Sequence, residues 1–254
     1  MVSSAAGPAP GAGRIQCLYC NARGRAPCGG LRDIGDLEEL DAAHNLPRRF
    51  PAGAELPIAR DSAIGAYTIL SGWVALADTL ADGRMVIFRF ALPGDVIPLE
   101  FQTDRTTRAA IAVGDVIICS FSRARHARLL REDPLYAERY HSAVAHELHL
   151  AYDHFVNAVV ASATERVLDL LWELSVRSLR RRPTAEDRIP APLTQIQIGL
   201  ATGLTAVHVS RTLRALREQG LARLANRTIA ILDPPAVERL CRTPEEAMAM
   251  WMGD

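Results

Sequence analysis

The sequence lacks the features that would place it at once among membrane, secreted or catalytic proteins. It holds no apolar run as long as a membrane span, and its first residues, MVSSAAGPAPGAG, lack the basic start and apolar stretch of a secretory signal. A nucleophile elbow, a P-loop and a dinucleotide-binding fingerprint are also missing, so we expect no enzyme. We therefore expect a cytoplasmic protein that does not enter the membrane, and its Ala-, Gly- and Pro-rich start reads as a disordered leader.

An excess of charge of either sign is absent as well. The 29 Lys and Arg residues match the 29 Asp and Glu residues, so the charge of the whole chain does not indicate a nucleic-acid partner. The charge is unevenly spread, however, because five arginines and only one glutamate lie between Arg211 and Arg227. A local basic patch matters more for binding phosphate than the total charge does.

The cysteines are too few and too unevenly placed for a disulfide framework. There are five of them, an odd number, and thiols stay reduced in the cytoplasm. Cys17, Cys20 and Cys28 crowd one short segment, and such a cluster in a reducing compartment indicates a metal or redox site. Cys241 is isolated near the end of the chain, where we expect a buried or idle thiol.

The middle of the chain has the pattern of short strands separated by turns. The β-rich stretch 67–76 breaks at Ser71-Gly72, and Asp82-Gly83 is a hairpin signal that introduces a second strand over 85–92. A further strand is predicted over 116–121. Short strands with a turn at about every tenth residue predict a β-barrel or a jelly roll.

A helical pattern begins at Pro134 and runs to about Arg177, with a break near Ser162. Its apolar residues recur at steps of three and four: Leu148, Tyr152, Phe155, Val159, Val167, Leu170, Leu171 and Leu174. A helix of that length exceeds what a small barrel can cover, so we expect its apolar stripe to contact a second subunit. The alternative is that it packs only on its own barrel. The polar stretch 180–192 then predicts a linker into a second domain.

The last part of the chain predicts two short helices joined by a tight turn. Thr194 and Gln197 form a capping box that starts the first helix, which ends at the sequence Thr-Gly-Leu over 202–204. Thr205 caps the second helix, which runs over 206–219 and is ended by Gly220. Two helices joined by a Gly-containing turn are typical of a helix-turn-helix.

The second of these helices has one apolar face and one polar face. Val209, Leu213 and Leu216 form the predicted buried stripe. Residues after Gly220 alternate like two strands with Asn226-Arg227 at their turn, which predicts a β-hairpin wing. The alternative is a helical hairpin with a solvated arginine face. Positions predicted to reach base edges or phosphates in a major groove, or the backbone from the wing, are Thr205, Val207, His208, Ser210, Arg211, Arg214 and Arg227.

The order of a barrel, a long helix and a winged helix-turn-helix resembles the Crp/Fnr family of bacterial regulators. Residues 204–213 (LTAVHVSRTL) are similar to its recognition helix, 164–168 (TERVL) to the segment after its dimer helix, and 92–95 (LPGD) to one of its barrel turns. The resemblance covers nearly the whole chain. It implies a homodimer that binds a palindromic site in double-stranded promoter DNA, with RNA polymerase as a further partner and a sensor domain that sets the affinity for DNA.

The resemblance also implies an α+β fold with four parts. These are a leader and cysteine-rich sensor segment at 1–30, a β jelly-roll sensor domain of the cyclic-nucleotide-binding type at 31–133, a dimerisation helix at 134–179, and a winged helix-turn-helix DNA-binding domain at 180–254.

The cysteines narrow the resemblance to the oxygen-sensing Fnr branch. The pair Cys17 and Cys20, followed after seven residues by Cys28, is similar to the triad of its alphaproteobacterial members, and Cys119 falls where that branch places a fourth ligand. The resemblance implies a [4Fe-4S] cluster on these four thiolates. Iron–sulfur clusters commonly take four cysteines. A cluster there would tie the leader to Cys119, beside the start of the dimer helix, and oxygen would release that tie.

One position departs from the Fnr branch. Its recognition helix usually has an acidic residue four positions before the arginine that corresponds to Arg211, and here that position is Val207, followed by His208. Val207 could instead contact a thymine methyl group, and His208 a base or a phosphate.

Other sites fit parts of the same sequence. Four cysteines also suit structural zinc, and Cys17 with Cys20 suits a thiol–disulfide switch. Haem or nitric oxide sensing occurs among relatives of the resembled family, but no sequence feature marks a haem pocket. Cyclic-nucleotide binding is disfavoured, because the turn is Gly94-Asp95 and Arg108 is followed by Ala109. Three residues that could share a helix face and bind a metal are His146, His149 and Asp153.

Overall fold

The computed structural model describes residues 26–30, 45–57, 64–97, 108–241 and 243–252. The leader MVSSAAGPAPGAG and the cysteines Cys17 and Cys20 therefore lie outside the described residues. The chain forms two compact units. The first comprises Met1–Arg84 and Arg89–Glu147, and the second comprises Met85–Phe88 and Leu148–Asp254.

Within the described ranges, eight strands form two antiparallel four-stranded sheets. Their orders are β1-β8-β3-β6 and β2-β7-β4-β5. This arrangement confirms the predicted β jelly roll. The strands are β1 Asn45–Phe50, β2 Glu55–Leu56, β3 Ile64–Ser71, β4 Val74–Thr79, β5 Met85–Ala91, β6 Val96–Ile97, β7 Arg108–Ala112 and β8 Val116–Ser122.

Apolar side chains of these strands form the core of the β-roll. Ile69, Val74, Leu76, Phe90 and Ile118 are each almost completely shielded from solvent. The break predicted at Ser71-Gly72 separates β3 from β4, and the predicted Asp82-Gly83 hairpin lies between β4 and β5, where the Gly83 N–H donates to the Leu80 carbonyl at 2.9 Å. The two-residue strands β2 and β6 are too short to leave a period-two pattern in the sequence.

Three helices follow the β-roll: α1 Arg123–Glu132, α2 Pro134–Val160 and α3 Ala163–Leu179. Helix α1 is not among the predicted elements, and it lies within residues 31–133 of the predicted β jelly-roll domain. The break predicted near Ser162 is confirmed. Ser162 caps α3, since its hydroxyl accepts from the Glu165 N–H at 3.3 Å while the Glu165 carboxylate accepts from the Ser162 N–H at 2.8 Å.

The segment 134–179, predicted as the dimerisation helix, comprises α2 and α3, and these two helices differ in burial. Val167, Leu171, Trp172 and Leu174 of α3 are fully buried within the second unit, where α3 packs against the helices that follow it. This half of the predicted stripe is therefore core, whereas Leu148, Tyr152, Phe155 and Val159 of α2 stay exposed in the single chain.

The rest of the second unit contains four helices and a small sheet of order β10-β11-β9. The stretch predicted as a linker contains β9, so it is not wholly irregular. None of the helices within the described ranges combines the length and apolarity that crossing a bilayer requires. The elements are β9 Ile189–Pro190, α4 Gln195–Thr202, α5 Ala206–Glu218, β10 Ala222–Ala225, β11 Thr228–Ile231, α6 Pro234–Cys241 and α7 Glu245–Met252.

Candidate nucleic-acid interface

A three-residue turn joins helices α4 and α5, and capping residues and backbone hydrogen bonds fix its conformation. The capping box at Thr194 starts α4, and Gly203 ends it in the left-handed region at φ 68°. The Leu204 N–H then donates to the Gly199 carbonyl at 2.9 Å, and the Thr205 hydroxyl accepts from the His208 N–H at 3.2 Å to cap α5. The predicted helix-turn-helix is confirmed at each of these positions.

Gly199 is a residue that sequence analysis missed. A Cβ atom placed there would lie 2.4 Å from the Leu204 carbonyl oxygen, which is far inside van der Waals contact. The turn can therefore fold closely over α4 only because position 199 has no side chain. The available signal was a glycine inside an apolar helix with a second glycine four residues later, because the role of ending the helix accounts for Gly203 alone.

The two faces of α5 differ as predicted. Val209, Leu213 and Leu216 are buried, together with Thr212, and pack towards α3 and α4. All the residues proposed to contact DNA are solvent-exposed: Thr205, Val207, His208, Ser210, Arg211, Arg214 and Arg227. The structure thus leaves this face of α5 open, while the individual roles of its side chains in binding DNA stay predictions.

The two arginines on this face have different surroundings. The Arg214 Nε lies 2.8 Å from a carboxylate oxygen of Glu218 one turn later, and that hydrogen bond raises the pKa of Arg214 and lowers the pKa of Glu218. Within the described part of the chain, Arg211 has no such ion-pair partner. The Arg211 guanidinium can therefore contact a ligand directly, whereas Arg214 must first break its ion pair with Glu218.

The predicted wing is present as a β-hairpin of β10 and β11 with a two-residue turn. Ala225 pairs with Thr228, and both residues between them, Asn226 and Arg227, have positive φ angles of 51° and 55°. Consecutive residues of that conformation are typical of the tight turns that suit the twist of paired strands. A further backbone hydrogen bond stabilises the turn, because the Ala191 N–H donates to the Arg227 carbonyl at 2.8 Å. The Arg227 side chain itself is exposed at the tip.

A second surface of this unit is apolar and uncovered. Leu148, Tyr152, Phe155 and Val159 follow one another along α2 at steps of four, three and four residues, and each is about two-thirds exposed. Val156 and Val160 widen the same stripe. We call these six residues the α2 seam. The spacing matches the two apolar positions of a coiled-coil heptad.

A charged cluster that was not found from the sequence lies beside the seam, with Glu173 and Arg177 buried and His154 half-buried. The His154 Nε2 lies 2.6 Å from a carboxylate oxygen of Glu173 on α3, and its Nδ1 lies 2.9 Å from the Phe88 carbonyl oxygen of β5. Glu173 also accepts from Arg177 at 2.5 Å. Burial alone would lower the pKa of His154, but the Glu173 carboxylate and the Phe88 carbonyl outweigh it and raise that pKa.

Two of the four proposed cluster ligands lie among the described residues, and they share a neighbour. Cys28, within the short 3-10 helix Pro27–Gly30, packs against the core around Tyr136, and Cys119 lies on β8. Both thiols are half-buried. Burial raises the pKa of the Tyr136 hydroxyl, and negative charge on Cys28 and on Cys119 raises it further. Two soft sulfur donors from distant parts of the chain therefore lie near one hydroxyl group.

The surroundings of that hydroxyl belong to α1 and the first turns of α2. The Tyr136 oxygen lies 2.8 Å from Nδ1 of the buried His126, and the Tyr140 ring packs edge-on against the same imidazole. The Tyr136 N–H donates to the Asp133 carboxylate at 2.8 Å, which caps α2. Cys28 and Cys119 thus lie close to the beginning of α2.

The turn that resembles a nucleotide-binding turn is engaged within the protein. The Asp95 carboxylate accepts from the Leu92 N–H at 2.8 Å and from the buried Arg89 at 2.9 Å. Arg89 also donates to Glu147. Asp95 is therefore held by its own unit.

The alternative metal site on α2 is not assembled. His149 Nε2 lies 3.6 Å from an Asp153 carboxylate oxygen. Among the described residues no three His, Cys, Asp or Glu side chains are grouped as metal ligands, so His146 does not complete a site with the other two. The isolated Cys241, expected to be a buried or idle thiol, is half-buried. Burial raises its pKa, and the neighbouring Asp169 carboxylate raises it further.

Two family models match the chain, and each covers one part of the structure. A cyclic nucleotide-binding domain matches residues 47–133, and a Crp-like helix-turn-helix domain matches residues 165–240. The second match begins within α3, which agrees with the burial of α3 in the same unit as α4 and α5.

Regulatory proteins align with most of the chain. The nitrogen fixation regulation protein FixK of Bradyrhizobium diazoefficiens is 33% identical over 88% of this chain and 93% of that relative. The transcriptional activatory protein AadR of Rhodopseudomonas palustris is 30% identical over 87% of this chain and 91% of that relative. The solved structure of FixK2 from Bradyrhizobium japonicum covers 79% of this chain and 100% of its own, with a TM-score of 0.66 at 25% identity.

Proposed function

Because the chain belongs to the Crp/Fnr family of DNA-binding transcription regulators, we propose that it acts as a homodimer on a palindromic promoter site under the control of an oxygen-labile iron–sulfur cluster. RNA polymerase is the proposed second partner at the promoter, and the cytoplasm is where the protein meets it. The observation that carries the DNA-binding part is the exposed face of α5 beside the exposed tip of the wing.

The exposed face of α5 has the chemistry that a major groove recognises. Arg211 offers a planar donor pair that matches guanine edges, and Ser210 can donate to or accept from any base. Arg227 on the wing supplies a charge for the phosphate backbone, which positions the helix without reading sequence. Val209, Leu213 and Leu216 on the opposite face of α5 are buried in the core, which fixes the position of the helix within its unit.

The α2 seam supports the homodimer. Four large apolar side chains, each about two-thirds exposed at heptad spacing, are far more than a solvated helix face of this length would carry. A second copy of the same helix covers such a seam symmetrically, because residues on one copy meet their counterparts on the other. A twofold-symmetric dimer presents two copies of α5, and recognition helices of such dimers read half-sites about one turn of DNA apart, roughly 34 Å, so we expect a palindromic site.

The DNA-binding proposal is tested by binding measured with fluorescence anisotropy on a duplex selected from random sequence. Arg211→Ala should lose about 1–3 kcal/mol per half-site for the selected duplex and leave the dimer intact in sedimentation. Arg239→Ala, an exposed arginine on α6, is the matched control and should bind as the wild type does.

The wing is tested in the same assay. Arg227→Ala should weaken all duplexes alike and flatten the dependence of affinity on salt. If neither Arg211→Ala nor Arg227→Ala changes binding, the proposed interface is wrong.

The sensing part of the proposal rests on Cys17, Cys20, Cys28 and Cys119. Thiolates are the ligands that iron–sulfur clusters take, and Cys28 and Cys119 already lie near one hydroxyl group at the start of α2. When bound, a [4Fe-4S] cluster supplies sensitivity to oxygen. Ligation by Cys28 and Cys119 would link the N-terminal segment to β8 beside Tyr136. That tie favours the arrangement of α2 in which two copies pair.

This part is tested by iron, sulfide and visible absorbance after anaerobic purification, before and after exposure to air. We expect iron and sulfide in the wild type and their loss in Cys28→Ser and Cys119→Ser. Cys241→Ser is the matched control, because its thiol lies beside Asp169 instead, and it should keep both. Zinc without sulfide would instead indicate a structural metal, and no metal with a reversible change in thiol content would indicate a redox switch; either result would overturn the cluster.

A further inference from the structure

Val207 is an apolar residue in a place where folding does not require one. It is 64% exposed in the first turn of α5. The core of the helix-turn-helix is formed by the other side of the helix, through Val209, Leu213 and Leu216. A β-branched side chain also contributes less to helix stability than alanine or a long polar residue would. Neither packing nor local propensity explains a valine here.

The residues that share a face with Val207 are those that face the proposed DNA. Helical geometry turns the chain by about 100° per residue, so positions three, four and seven later lie on the same side. Those positions are Ser210, Arg211 and Arg214, and all three are exposed. Val207 therefore lies at the leading end of the polar stripe of α5, among groups that can only make hydrogen bonds or ion pairs.

We propose that Val207 reads the C5-methyl group of a thymine in each half-site, an inference that rests on the proposed binding of α5 in the major groove. The thymine methyl is the apolar group that the four base pairs present in that groove. Valine has no donor or acceptor, so it favours a base by burying that methyl group against its own. The class of ligand is a thymine- or 5-methylcytosine-containing major groove.

The same geometry predicts how a carboxylate would change the preference. An acidic side chain at this position would accept from the amino group of cytosine, which valine cannot do. Val207→Glu should therefore exchange a preferred A·T pair for a G·C pair at one position in each half-site. Comparing the base preferences of the wild type and of Val207→Glu therefore distinguishes recognition of a base by apolar contact from recognition by a hydrogen bond.

The experiment uses full-length protein and the duplex selected from random sequence. Each thymine is replaced, symmetrically in both half-sites, by deoxyuridine, which differs only by the missing methyl group. We expect one symmetric pair at which the replacement weakens binding by roughly fourfold per half-site and about fifteenfold for both, as burial of one methyl-sized group implies. At that pair Val207→Ala should bind thymine and deoxyuridine duplexes almost equally.

Controls separate the contact from a general loss of binding. Ile196→Ala removes another exposed apolar side chain, 64% exposed on α4, and should keep the response to deoxyuridine. Val207→Thr keeps the shape of the side chain and guards against a folding defect, and we expect an intermediate response. The inference is overturned if no thymine pair responds in the wild type, or if Val207→Ala responds as strongly as the wild type. If no duplex is selected at all, the proposed function has failed instead.

Discussion

Deprotonation of His154 should destabilise the second unit, because the imidazole lies between two groups that can only accept. Its Nε2 is 2.6 Å from the Glu173 carboxylate and its Nδ1 is 2.9 Å from the Phe88 carbonyl oxygen. A neutral imidazole has a single N–H, so one of these contacts would become a contact between two acceptors. Both hydrogen bonds exist only when the ring carries its positive charge.

The direction of the pH dependence follows from the raised pKa of His154. The unfolded chain releases this proton at about pH 6.5. The stabilising contribution is therefore complete below about pH 6.5 and is lost as the pH rises through the folded-state pKa. Glu173 acts at the other end, because His154 and Arg177 lower its pKa against the effect of burial. Its contribution is present above its unfolded value of 4.5 and is lost as the pH falls.

The magnitude comes from one broken hydrogen bond to a charged group. Such a bond contributes about 1.5–3 kcal/mol, and a buried acceptor left unpaired costs a similar amount. For a unit of roughly a hundred residues, each kcal/mol corresponds to about 4 °C in Tm. We therefore expect the wild type to lose roughly 6–12 °C more in Tm than a variant without the titrating ring as the pH rises from 6 to 9.

The assay is thermal unfolding by circular dichroism at several pH values, for the wild type and for His154→Gln. His208→Gln, which removes an exposed histidine of α5, is the control and should follow the wild type. Other charged groups that face His154 also have shifted pKa values. Burial raises the pKa of Asp169 to about 7 and also raises that of Asp153. Asp169→Asn combined with each histidine variant separates that titration. Parallel Tm curves for the wild type and His154→Gln would refute the reasoning.

Three further perturbations test other features of the structure. Gly199→Ala should destabilise the second unit by about 2–3 kcal/mol in chemical denaturation, because its Cβ would meet a backbone oxygen at 2.4 Å. Gly220→Ala is the control: a Cβ there has no atom within 4 Å, so the substitution should cost only about 1 kcal/mol for the left-handed backbone. Equal losses of stability in the two variants would contradict the close approach at Gly199. Glu218→Gln should release Arg214 and tighten binding to every duplex with a steeper salt dependence, and unchanged anisotropy titrations would show that Arg214 does not contact phosphate. Phe155→Glu should give monomers in sedimentation, because it places a charge in the α2 seam, whereas Val86→Glu on β5 should not; a dimer in both would show that the seam is not the interface.

Local signals in the sequence were enough to predict the helix-turn-helix and its wing. Capping residues such as Thr194 and Thr205 act within three residues of themselves, and the Asn226-Arg227 turn acts within its own hairpin. The exposure of Arg211 followed from the position of the buried stripe alone. These features depend on contacts between near neighbours in the chain, which is why their positions could be read before any tertiary arrangement was known.

Features that depend on distant residues were out of reach. His154 meets Phe88 across 66 positions and Glu173 across 19, and no periodicity links them. Cys28 and Cys119 could be paired in advance only through a family resemblance. The two-residue strands β2 and β6 depend on pairing with β7 and β3, since they are too short to show a pattern of their own.

The helices α2 and α3 show why periodicity predicts a covered face and not the partner that covers it. Both carry apolar residues at steps of three and four, so their sequences predict one continuous stripe. In the structure Val167, Leu171 and Leu174 are buried by the helices that follow them in the chain, whereas Leu148, Phe155 and Val159 are exposed. Apolar burial favours both outcomes equally, because it depends on area and not on which chain supplies the partner surface. The change occurs at the capping box of Ser162. The exposed apolar stripe lies N-terminal to that residue, so dimerisation should tolerate polar substitutions of the α3 surface that it does not tolerate in the α2 seam.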